Sequence, residues 1–152
     1  MTAMRLIIVW LHVVGMAIWV GGVMYQSHVL LPAARRGEAR DFASAARRAR
    51  PVTWTAIALV VLTGFYNVTQ MGPIDRAMQS GAGVLLAGKF ILVIAAIALA
   101  GQRDFALVSR LRGAVNDEEG RNALLRSIGV LDHVILALLV VIVYLGVAIS
   151  RS

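Results

Sequence analysis

Four long apolar runs follow one another along the chain, separated by polar connections. The runs cover about residues 6–31, 52–71, 83–101 and 125–149. A helix of about 20 residues crosses the roughly 30 Å of hydrocarbon in a bilayer, and it pairs its own backbone groups there. The pattern predicts an all-α fold, a four-helix transmembrane bundle that forms a single domain over residues 1–152. The first run, with no small-residue cleavage site after it, is expected to be a span and not a removable signal peptide.

The polar connections carry very unequal charge. Eleven arginines lie in the first and third connections, residues 33–50 and 102–126, whereas three lie elsewhere. Because arginine-rich connections stay in the cytoplasm, we expect both basic connections inside and both chain termini on the outer, periplasmic side of the inner membrane. Residues 33–50 are expected to form a helical basic extension at the membrane surface.

Composition supports a membrane protein and excludes several other classes. Hydrophobic residues make up 59% of the chain, compared with about 45–50% in a soluble domain. The chain has a net charge of +7, and its basic residues lie beside the apolar runs. This arrangement is typical of a membrane protein. The expected partner is therefore a lipid bilayer and not a nucleic acid. Cysteine is absent, which excludes disulfides, thiolate metal sites and iron–sulfur clusters.

Ionisable side chains inside the apolar runs are the candidates for function, because each is costly in hydrocarbon. The helical rise of about 1.5 Å per residue places them at two levels. His12 and Lys89 lie toward the outside, whereas His28, Asp132 and His133 lie toward the cytoplasm. An ion pair with Arg103 or Arg126 would explain Asp132 without a function, and that alternative stays open.

The first run carries the sharpest pattern. His12 and Trp19 point within roughly 20° of each other on one helical face, flanked by glycines that permit close approach. Polar residues of the second and fourth runs reach the same outer level. The predicted cofactor-binding residues are His12, Lys89, Trp19, Asn67 and Tyr144. His12 is the first candidate metal ligand, with His133 and His28 as further candidates, and a purely interhelical hydrogen bond is the alternative for His12.

The chain also resembles a known superfamily over all four runs, most specifically in the first and third. The superfamily contains CopD-type copper-resistance membrane proteins and HemJ-type protoporphyrinogen oxidases. Their first helix is similar to Leu11-His12 followed by Trp19 and Gly21-Gly22 in this chain, and their third helix is similar to Gly88-Lys89-Phe90. The HemJ-type resemblance implies haem b and porphyrinogen oxidation, with His12 and Lys89 in the implicated positions. The CopD-type resemblance implies copper passage into the cytoplasm. After Tyr25 the sequence departs from the HemJ pattern.

From these observations we predict a haem b-binding membrane redox protein, either an oxidase or an electron carrier. Its partner would be a redox protein or a porphyrin-like small molecule. Two alternatives stay open: a copper transport or copper-handling membrane protein, and a structural membrane subunit without a cofactor. Enzymatic activity and a homo-oligomeric state also stay open.

Overall fold

The fold is helical over nearly all of the described chain. The structure, a computed structural model, describes residues 2–70 and 81–151, and this part of the chain contains no strand. The predicted end of the second apolar run at Met71, and most of the connection that follows it, lie outside the described residues. The prediction of an all-α fold is confirmed.

Five helices of six residues or more lie in the described chain: α1 (Ala3–Tyr25), α2 (Ala39–Thr69), α3 (Gly81–Gly101), α4 (Val108–Gly113) and α5 (Glu118–Arg151). Wider, π-type turns at Gln26–Leu30 and Ala34–Glu38, with a short α-helical segment at Leu31–Ala33 between them, continue the chain from α1. A further π-type turn at Gln102–Leu107 joins α3 to α4. Helix α2 runs through Pro51, although proline offers no N–H to the preceding turn. The basic extension and the second apolar run are therefore one helix.

Three continuous helical segments are long and apolar enough to cross a membrane: Ala3–Thr69, Gly83–Gly113 and Glu118–Ile149. The first has 67 residues and would measure about 100 Å if it were straight. It reverses direction at Gly37, whose φ of 122° is the only positive value in the described chain. A side chain there would meet nothing within 4 Å, so the backbone conformation itself favours glycine.

Helices α1 and α2 pack as an antiparallel pair centred on Gly37. His12, 25 residues before Gly37, contacts Thr63, 26 residues after it. Gly15 lies so close to α2 that a Cβ atom there would come within 2.9 Å of Val60. Such close approach of small residues stabilises helix pairs in lipid, where apolar burial contributes little between helices.

Helices α3 and α5 form a second antiparallel pair, centred on the turn at 114–117. Lys89 lies against Gly146, and Arg103 pairs with Asp132. An apolar cluster joins residues around Gly37 with residues around this second turn: Leu31, Ala34, Phe42, Val108, Leu111 and Leu125. Both turns, and with them both basic connections, therefore lie at one end of the molecule, the turn end. His12 and Lys89 lie at the opposite end, the open end.

The outer surface of the helices is apolar. Large hydrophobic side chains are 56–69% exposed along all four long helices: Ile7, Leu62, Ile91, Ile94 and Val140. Contiguous apolar surface of this extent marks contact with a membrane or a partner rather than with water. The apolar helices indicate a multi-pass protein surrounded by a lipid bilayer.

Candidate functional site

His12 at the open end has a defined tautomer. Its Nδ1 lies 3.1 Å from the Val60 carbonyl oxygen and 2.9 Å from the Thr63 hydroxyl oxygen. The Thr63 hydroxyl donates its hydrogen to the Leu59 carbonyl at 2.6 Å. Because both oxygens near the ring then accept, Nδ1 carries the hydrogen and Nε2 carries the lone pair. The ring packs over Gly64, where a Cβ atom would come 3.4 Å from its Cε1.

Lys89 brings a positive charge to the same end. Its ammonium group reaches across to α5, where a Cβ atom on Gly146 would lie 3.2 Å from Nζ. The side chain is half-buried and lies within electrostatic range of His12. The structure thus brings an imidazole with a free nitrogen and an amine to one level of the bundle.

The other predicted outer residues lie in different surroundings. Trp19 is 1% exposed within the apolar cluster between the two helix pairs, deeper than His12. Asn67 is half-buried on α2, one helical turn beyond Thr63. Tyr144 is 71% exposed, which places it on the outer surface of the helices and not in an enclosed pocket with His12.

One face of α1 and of the π-type turn that continues it carries buried polar atoms without a partner in the described chain. The Trp19 indole nitrogen Nε1 and the Gln26 oxygen Oε1 are both buried and lack a hydrogen bond within the described residues. Together with His12 they recur every seven residues, which places them along one side of the helix. Sequence reasoning missed Gln26, although its spacing of seven from Trp19 was a usable signal.

Nearer the turn end, a buried ion cluster joins the π-type turn that follows α3 to α5. The Arg103 guanidinium donates to Asp132 at 2.6 Å and to Asp104 at 2.7 Å. The Trp54 indole donates to the second Asp104 oxygen at 3.1 Å, and Arg50 donates to the Asp104 backbone carbonyl. Asp132 is 1% exposed. One guanidinium therefore bridges two buried carboxyl groups, and Asp104 is a member of this cluster that sequence reasoning missed.

His28 and His133 form a pair beside this cluster. Their ring centres lie 5.8 Å apart, and both side chains are exposed. The His133 Nδ1 lies 2.6 Å from the Gly129 carbonyl oxygen. The His28 Nδ1 lies 3.1 Å from the Met24 carbonyl oxygen and 2.8 Å from the Ser27 hydroxyl oxygen. The Ser27 hydroxyl donates its own hydrogen to the Met24 carbonyl at 3.2 Å, so it accepts from His28. Each Nδ1 then carries a hydrogen, and each Nε2 has a free lone pair.

The polar residues do not form a complete cage for a metal ion. Within residues 2–70 and 81–151, no three His, Cys, Asp or Glu side chains are grouped so that they could hold one. Asp132 and Asp104 are already engaged by Arg103. Any ion at the His28–His133 pair would therefore have two protein ligands from these groups.

A protein-family model described as "Copper resistance protein D" (CopD) matches residues 43–149, which is 107 of the 152 residues in the chain. The matched region contains Lys89, Asp132 and His133, whereas His12, Trp19 and His28 precede it. Neither a curated protein nor a solved structure matches the chain.

Proposed function

Because this chain belongs to the copper resistance protein D (CopD) family, we propose that it handles copper ions within a membrane. Beyond family membership, the proposal rests on the hydrogen bonding that the three histidines share. In all three, Nδ1 lies 2.6–3.1 Å from a backbone carbonyl oxygen, a position that favours a hydrogen on Nδ1. Such a hydrogen bond on the far nitrogen is what orients an imidazole as a metal ligand and raises its basicity.

Copper is consistent with the donor atoms that the sequence offers. Imidazole suits copper, whereas the thiolates that many Cu(I) sites use are absent because the chain has no cysteine. Two neutral imidazoles can form a two-coordinate complex with Cu(I), an ion that accepts so low a coordination number. Octahedral ions would need several more ligands.

The His28–His133 pair is the better copper position of the two levels. With metal–nitrogen bonds of about 2.0 Å, two imidazole centres that share one ion lie about 5.1 Å apart for a tetrahedral angle and about 6.3 Å apart for a linear one. The distance of 5.8 Å between His28 and His133 lies within this range. At the open end, by contrast, a charged Lys89 would repel a copper ion from His12.

That same charge favours a second candidate function at the open end, the binding of haem b. His12 would supply Nε2 as an axial ligand, and Lys89 would pair with a propionate. Haem would bring one-electron redox chemistry, and the chain would supply orientation and electrostatics. The support for this candidate is the pairing of an available imidazole nitrogen with a nearby cation.

Absorption and metal analysis of one preparation separate these functions. The full chain, purified in mild detergent with a tag that contains no histidine, is expected to bind about one Cu(I) per chain in competition with a chromophoric chelator. It is expected to have no Soret band. Stoichiometric haem without copper would favour the second candidate. A preparation that binds neither copper nor haem would contradict both candidate functions and favour a structural subunit without a cofactor.

For the topology we propose four crossings, with both termini outside. Helices α1 and α2 have 23 and 31 residues, so each half of the first segment can cross alone. The two basic connections share the turn end, and their arginine excess favours the cytoplasm for that end. A periplasm-dependent reporter should be active when fused after Ser152 and inactive within 114–117. Cytoplasmic signal from the fusion after Ser152 would contradict this orientation.

A further inference from the structure

A cleft of about 480 Å³ opens at the turn end, apart from the histidines. It is lined by Arg40, Ala43, Ser44, Arg47, Arg48, Arg112 and Val115. The lining residues of α2 recur at the spacing of one helical face. Arg112, at the end of α4, adds a charge from the other basic connection. Two segments far apart in sequence therefore direct their charge into one cavity.

The charge in this cleft is not balanced by the protein. No acidic residue lines it, and all four arginines are exposed. Within the described chain, the salt bridges are those of Arg103 with Asp104 and Asp132, so none of the four is in an ion pair there. Four like charges around one cavity repel each other, and a bound anion would remove that repulsion.

The position of the cleft indicates which anion is at hand. Arg48 and Arg47 precede the first apolar residue of the span, Val52, by four and five residues, which is about 6–8 Å along a helix. The headgroup layer extends roughly 5–8 Å beyond the hydrocarbon on each side. The backbone of these two residues would therefore lie at about the depth of lipid phosphates, and that of Arg40 would lie farther out.

We propose that this cleft binds the phosphate of an anionic phospholipid headgroup. Guanidinium groups bind phosphate oxygens through paired, charge-assisted hydrogen bonds, and the Ser44 hydroxyl offers one more donor. A basic pocket between helices on the cytoplasmic side is a recurrent form of headgroup site. Bound lipid would hold α2 and α4 together at the turn end.

Native mass spectrometry of the full chain tests this site. In a titration with phosphatidylglycerol and phosphatidylcholine, the wild type is expected to prefer phosphatidylglycerol at least tenfold. The cleft variant R47Q/R112Q should lose that preference, and R40Q/R48Q should do the same. The matched control R36Q/R110Q removes two exposed arginines from the same connections but outside the cleft, and it should bind within threefold of the wild type. R47K/R112K should retain part of the preference, because lysine keeps the positive charge but lacks the planar guanidinium group that makes paired hydrogen bonds to phosphate.

Two outcomes would overturn the proposal. An equal loss of preference in the cleft and control variants would assign the effect to general surface charge. Displacement of phosphatidylglycerol by millimolar inorganic phosphate or pyrophosphate would assign the cleft to a soluble phosphate compound. Thermal unfolding of every variant, measured alongside, excludes misfolding as the cause of a loss.

Discussion

Replacing Asp132 by Asn is expected to lower the free energy of unfolding by about 3 kcal/mol, because a buried donor left without its acceptor costs about 1–3 kcal/mol, and more when the donor is charged, as the Arg103 guanidinium is. Asp132 is 1% exposed and accepts from Arg103 at 2.6 Å. An Asn amide in its place would present a donor to a guanidinium that can only donate. At about 2–4 °C per kcal/mol, the midpoint of thermal unfolding in detergent should fall by roughly 10 °C.

Two further variants make this prediction specific to the cluster. Arg103→Gln should cost more than Asp132→Asn, because it leaves both Asp104 and Asp132 without their cation. Asp41→Asn is the matched control, since Asp41 is exposed on α2, and it should change the midpoint by less than about 2 °C. If Asp132→Asn and Asp41→Asn had equal effects, the ion cluster would contribute nothing to stability.

The residue pattern along the chain was enough to predict the all-α fold and the common end of the two basic connections. Hydrophobic runs and arginine content are properties of each segment by itself, so they can be read without knowledge of the packing. The same is true of the helical extension in residues 33–50, which the structure confirms from Ala39 onward. Its continuation through Pro51 was not predicted, because tertiary packing outweighed the local preference of proline.

The composition of the site depended on how the helices are rotated against each other, which spacing within one helix does not determine. The pattern placed Tyr144 and Asn67 at the level of His12, yet Tyr144 is 71% exposed. Likewise, the sequence left Arg103 and Arg126 as alternative partners of Asp132, and only the antiparallel packing of α3 and α5 selects Arg103. The π-type turn at Gln102–Leu107, which carries Arg103 and Asp104, had no sequence signal.

If copper binds between His28 and His133, replacing either histidine by Ala should weaken Cu(I) binding at least 100-fold, about 2.7 kcal/mol. Each variant removes one of two ligands, and the remaining imidazole has no third protein ligand from the described His, Cys, Asp and Glu side chains. Chelator competition in the presence of a reductant measures the affinity. X-ray absorption at the copper edge should detect two nitrogen neighbours in the wild type only.

His12→Ala is the matched control for this pair, because it removes an imidazole with the same Nδ1–H to carbonyl geometry from the opposite end of the bundle. It is expected to keep Cu(I) affinity within threefold of the wild type. Both members of the pair are exposed, so their loss should leave thermal unfolding nearly unchanged, and weaker binding would then reflect a lost ligand. If His12→Ala lost copper while His28→Ala and His133→Ala retained it, the copper position would be the open end, where the charge of Lys89 would have to be neutralised.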